Sequence, residues 1–171
     1  MSDLLGVYQQ QVDDLAAEGK SFRISNRNVE HAAVLLDAIL RTAEQEVRLF
    51  CGNLSESFYG QDRLKKALIN YLHKPGSRLQ ILVQEKLPKN HVVLQALQPY
   101  IDNKVEVRYI ELTHKVSHFA VLDRKGYRFE FTHHEANPAL VEAVANFNEP
   151  DIASKLADQF DVLFSTAKPV V

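Results

Sequence analysis

The sequence predicts an α/β fold: a mixed, mostly parallel sheet with flanking helices and a separate helix at the N-terminus. Three observations carry this expectation. Short β-type runs at 46–51 (EVRLFC), 78–84 (RLQILVQ) and 105–110 (VEVRYI) alternate with amphipathic stretches of about a dozen residues, the pattern of right-handed crossovers between parallel strands. Two further runs, 117–123 and 127–131, are separated by a tight turn at Asp123-Arg124-Lys125-Gly126. A connection that short makes a hairpin and adds antiparallel strands. Finally, 171 residues with 46% apolar and 25% charged side chains describe one globular domain, able to bury roughly two-thirds of its unfolded surface.

Taken in order, 3–17 carries Leu5, Tyr8, Val12 and Leu15 on one helical stripe, and Gly19 is a natural stop. This helix packs either on its own domain or on a partner protein, and 1–20 is set apart from the fold proper at 21–171. Ser25-Asn26-Arg27-Asn28 reads as capping sequence for a helix with the stripe Val29, Ala32, Ala33, Leu36, Ile39, Leu40 and Ala43. A third helix spans 61–73 through Leu64, Leu68, Tyr71 and Leu72 and is ended by Pro75-Gly76. A fourth follows at 92–101 despite Pro99. After the hairpin, 139–146 and 151–165 both read as helices, the second introduced by Glu149-Pro150-Asp151.

Charge and cysteine content exclude several classes. A net charge of −2 gives no general attraction to nucleic acid or anionic phospholipid. No apolar run approaches the ~20 residues of a membrane span, and 1–20 is amphipathic rather than a signal sequence. The single cysteine, Cys51, fits a reducing, cytoplasmic compartment and lies in an apolar strand as a structural thiol.

Chemistry concentrates at 104–137, which holds four of the seven histidines: His114, His118, His133 and His134. His118 opens an apolar strand that ends on Asp123, and Thr132-His133-His134-Glu135 closes the hairpin. A tight turn there calls for positive φ at Gly126 and polar surroundings for Asp123. The histidines with Asp123 and Glu135 do not make a metal site. Adjacent His133 and His134 diverge on an extended chain, and no helical HExxH spacing occurs. No cofactor is implied either, since the chain lacks a glycine-rich phosphate loop.

These residues resemble the phospholipase D-like superfamily over about 28–165. HFAVLDRKGYRFEF is similar to its motif strand and turn, and NFNEPDIASKLADQFDVLF to its closing segment. The resemblance implies one half of a two-half fold and the motif His, one residue, Lys, four residues, Asp. In that motif the histidine attacks phosphorus, the lysine holds phosphate oxygens and the aspartate supports a histidine. Members with one motif gain the second as homodimers.

This chain departs from the motif. Anchoring on Asp123 puts Val116 at the nucleophile position and His118 at the lysine position. Anchoring on His118 puts Ala120 at the lysine position and brings Asp123 two residues early. Strand side chains alternate, so His114, Val116, His118 and Ala120 share a face under either alignment, and neither supplies the lysine. Loss of one such electrostatic group commonly costs ~10²–10³ in rate. By the resemblance His118 and Asp123 are the candidate catalytic residues, and His114, Thr132, His133, His134 and Asn137 the candidate ligand-binding ones. Three readings follow. The first is a catalytically degenerate, homodimeric binding or regulatory module for a phosphate-bearing ligand. The second is an active phosphodiesterase, nuclease or phospholipase, using His118 and Asp123 across a dimer. The third is a structural protein–protein interaction module.

Overall fold

The computed structural model of the chain describes residues 2–114, 116–133 and 140–170, with the side chains of 4–114, 116–131 and 141–170. Its elements in order are α1 (Ser2–Glu18), β1 (Ile24–Asn28), α2 (Val29–Thr42), β2 (Glu46–Cys51), α3 (Glu56–Tyr59), α4 (Asp62–Leu72), β3 (Arg78–Val83), α5 (Val92–Leu97), β4 (Val105–Tyr109), β5 (Phe119–Leu122), β6 (Gly126–His133), β7 (Leu140–Asn146), α6 (Pro150–Thr166) and β8 (Lys168–Pro169). A 3₁₀ turn, Gln98–Tyr100, follows α5 at Pro99, where the missing N–H prevents a regular helix.

The strands form one mixed sheet in the order β1-β7-β6-β5-β2-β3-β4-β8. Only β2–β3 and β3–β4 pair in parallel, and the other neighbours are antiparallel. The parallel share is therefore smaller than the sequence reading of a mostly parallel sheet. Two strands that reading had assigned otherwise account for this. Residues 140–146 (LVEAVAN) are a strand, not a helix. Their composition favours a helix, but Ala143 is buried, Ala145 packs in the α2-side core and Val144 packs toward α6. Cross-strand packing on both faces outweighs local propensity. Residues 24–28 likewise form an edge strand on β7 rather than capping sequence alone. Asn28 still performs the predicted cap, its Oδ1 accepting the His31 N–H at 2.8 Å.

Two apolar layers sandwich the sheet. On one face α2, with eight buried side chains, packs beside α1 and α4, and α5 packs on α4. On the other, α6 places Ala153, Leu156, Ala157, Phe160 and Phe164 against Phe50, Leu82, Phe119 and Val121. The stripe of α1 is used within the chain. Tyr8 stacks on His31 at 3.9 Å and donates its hydroxyl to the Ser25 carbonyl, while Val12 is fully buried. Leu4 and Val7 face outward. Among the described residues no helix is long and apolar enough to cross a membrane.

The hairpin forms where expected, with one correction. Lys125 N–H bonds the Leu122 carbonyl, and Asp123 and Arg124 between them have φ of 48° and 51°. These are the left-handed φ values of a type I′ β-turn over 122–125, and because Leu122 pairs with Gly126 the loop between the strands is the three residues 123–125. Gly126 is not among the positive-φ residues; it opens β6 opposite Leu122. Its role is close approach: a Cβ there would stand 2.7 Å from Leu122 Cδ2 and 2.8 Å from the Asn146 oxygen.

Candidate phosphate-binding cleft

His118 immediately precedes β5, beside the carboxyl end of β2. Its carbonyl accepts the Glu130 N–H at 2.9 Å, which makes the two residues cross-strand partners. Its imidazole projects toward the loop after β2. A Cβ on Gly52 would lie 3.3 Å from His118 Cε1, so glycine there leaves room for the ring. Nε2 is 3.4 Å from Gln84 Oε1, Nδ1 is 3.9 Å from Glu130 Oε1, and the Phe50 ring meets the imidazole edge-on with centroids 6.2 Å apart. Leu54, buried in the same loop, holds a left-handed φ of 52°, a sparsely populated conformation for a residue other than glycine.

These groups border a cavity of about 450 Å³ lined by Cys51, Gly52, Asn53, Ser55, Gln84, His118, Arg128 and Glu130, among others. It sits at the carboxyl ends of β2 and β3, where open α/β sheets characteristically bind ligands. Arg128 faces it from β6, directly opposite Ala120. The guanidinium donates through Nε to Asn26 Oδ1 and through Nη1 to Glu130 Oε2, both at 3.3 Å, while Nη2 has no hydrogen-bond partner among the described residues. An unmet buried donor typically costs about 1–3 kcal/mol, and more when charged. Cys51 also borders the cavity, but burial pushes its thiol up to about 12, which removes it as a nucleophile at neutral pH. A neighbouring groove of about 590 Å³ runs along 85–92. Its His91 is engaged locally, with Nδ1 accepting the Val93 N–H and lying 3.9 Å from Glu56. The cavity at His118 is the better candidate site because it combines a buried cation, a carboxylate and an imidazole.

The predicted site residues divide. His118 lines the cavity. Asp123 lies at the other end of β5, roughly 16 Å away at strand rise. Its carboxylate accepts the N–H groups of Glu44, Gln45 and Glu46 at 2.8, 2.9 and 2.8 Å, so it ties the hairpin turn to the loop entering β2. The structure thus does not bring Asp123 to His118, and within one chain the two cannot work as a pair. His114 is exposed in the segment before β5. Thr132 and His133 continue β6, paired with Glu142 and Val141, but their side chains lie outside those described. His134 and Asn137 lie outside the described residues.

Sequence reasoning missed Arg128, Glu130 and Gln84. The signal for the first two was present in YRFEF: two charged residues at period two on a strand whose other face is aromatic. Their face is turned to the α2 side of the sheet and not to water. Gln84 gave no signal, since a glutamine ending a strand is ordinary.

No protein-family model and no curated protein sequence matches this chain. Solved structures do. Nuc from Salmonella typhimurium, a phospholipase D family member, superposes with a TM-score of 0.66 at 16% identity, covering 88% of this chain and 98% of Nuc. NucT from Helicobacter pylori gives 0.61 at 12% identity, over 88% and 99% of the two chains. TrmBL2, an archaeal chromatin protein with a novel mode of DNA binding, gives 0.61 at 16% identity; the match covers 85% of this chain but 53% of TrmBL2, about half its length. Superposed over nearly the whole of Nuc and NucT, this chain has the phospholipase D-like fold.

Proposed function

We propose that this chain is a phospholipase D-like domain that holds a phosphate-bearing ligand in the cleft around His118 and acts as a homodimeric binding or regulatory module, without turning the ligand over. The observation that carries this reading is Ala120. With His118 set at the motif histidine, the position that the resembling motif gives to lysine is the buried Ala120, on the same face of β5 as His118. Phosphoryl transfer depends on positioning and on fixed charge at the phosphate oxygens, and β5 offers one imidazole for two roles. Asp123, two residues short of the motif aspartate's place in that alignment, is committed elsewhere, to three backbone N–H groups of the β2 entry loop. The DNA-binding neighbour TrmBL2 is consistent with a phosphodiester-binding use of this fold. The exposed ring of Phe131, adjacent in sequence to Glu130, supports the homodimer reading as an apolar surface for a second copy to cover.

A second reading, an active phosphodiesterase, is favoured by one distance: the His118 imidazole lies 3.9 Å from the Glu130 carboxylate, a partner able to steady an imidazolium. The two readings separate in a turnover assay on DNA, RNA, phospholipid and an activated diester, with and without divalent metal, comparing the wild type with His118→Ala. The binding-module reading expects no turnover above background for either protein. Hydrolysis that disappears in His118→Ala would establish the enzyme instead.

A further inference from the structure

Arg48 and Arg128 are equally buried, each with 7% of its surface exposed, and they differ in one respect. Arg48 is saturated by two carboxylates, with Nε and Nη2 on Asp161 at 2.8 and 3.2 Å and Nη1 on Glu46 at 2.6 Å. It is an internal tie between β2 and α6. Arg128 borders the cavity, is bound through two long contacts at 3.3 Å, and leaves Nη2 without a partner among the described residues. Buried polar groups are almost always satisfied, so a buried, unpartnered guanidinium nitrogen on a residue that lines a cavity points to an acceptor supplied from outside the chain.

The register adds a second, independent indication. Arg128 pairs directly with Ala120, so both side chains rise from the same face of the sheet, next to the His118–Glu130 pair. Arg128 thus stands on the sheet face that also carries His118 and Glu130, both of which line the cavity. We propose that Arg128 is the anion anchor of the cleft, its guanidinium turning to donate to a phosphoryl oxygen of a monoanionic phosphodiester. The assignment rests on the phosphate-binding reading above and names the residue that performs it. Guanidinium suits the task because its planar fork can hold Glu130 on one nitrogen and a phosphate oxygen on another. With Glu130 already beside it and Glu85 on the cavity wall, a singly charged diester is accommodated better than a doubly charged monoester.

The test titrates dimethyl phosphate into the full chain and follows the ³¹P resonance, for the wild type, Arg128→Met and Arg128→Lys, with circular dichroism and thermal unfolding recorded on each. Saturable binding by the wild type, weakened tenfold or more in Arg128→Met and several-fold in Arg128→Lys, is the expected result. If Arg128→Met does not fold, Arg128→Lys decides, because it retains the charge and stem but not the fork. Undiminished binding by folded variants would overturn the assignment and leave the cleft reading standing. No saturable binding by the wild type would overturn both. The same phosphodiester group occurs in nucleic-acid backbones and in lipid head groups. Displacement of bound dimethyl phosphate by a thymidine oligonucleotide or by glycerophosphoglycerol would therefore support the site and identify the source.

Discussion

Replacing Asp123 by alanine is expected to lower the stability of the fold by about 2–3 kcal/mol while leaving phosphate binding in the cleft unchanged. Two contributions add. The carboxylate's three backbone hydrogen bonds are lost, with partners that are partly solvated and so recover some of the deficit from water. The left-handed φ of 48° must then be held by a residue without the local hydrogen bonding that makes it tolerable for aspartate. For a chain of this length the loss corresponds to a fall in Tm of roughly 4–12 °C. Asp123→Asn, which tolerates the left-handed conformation and keeps one acceptor oxygen, should lose about half as much. Thermal unfolding and a dimethyl phosphate titration on the same samples check this. Weakened binding with unchanged Tm would mean that Asp123 serves a site and not the turn.

Phe50→Ala is expected to cost more, about 3–5 kcal/mol, the usual range for emptying a fully buried aromatic position. Phe50 lies in β2 at the centre of the sheet, with no exposed surface. Its ring packs edge-on against Phe119 at 5.5 Å between centroids and against His118 at 6.2 Å. It therefore joins the α6-side core to the cleft histidine. The resulting cavity removes one wall from His118, so a several-fold loss of phosphate affinity should accompany the fall in Tm. Phe50→Leu, which retains most of the volume, should lose less on both measures. Urea unfolding with the slope checked for constancy gives the stability change. An unchanged midpoint would contradict the packing described.

Much of this fold was legible because its elements are locally consistent. The α2 stripe, the three strands around β3, the hairpin and the Pro-initiated α6 each combine periodicity with an appropriate start or stop. What was not legible depended on distant partners. The helix-favouring 140–146 becomes a strand because β1 and β6 flank it, and no local pattern shows that. The I′ turn is centred one step earlier than glycine placement suggests, because Gly126 is needed for a close approach to Asn146, far along the chain. The site divided in the same way. His118 was legible as a lone histidine on an apolar strand. Arg128 and Glu130 become site residues only through the register that sets them opposite Ala120 and His118, and Asp123 leaves the site because the whole of β5 separates it from His118 and its carboxylate is held by the β2 entry loop.

The most direct measurement of the central claim is a calorimetric titration of the wild-type chain with bis(p-nitrophenyl) phosphate, with absorbance of the same mixture followed for released nitrophenolate. A cleft that binds a phosphodiester without splitting it predicts saturable heat and flat absorbance over hours. Nitrophenolate release that His118→Ala abolishes, or the absence of any saturable heat, would contradict it.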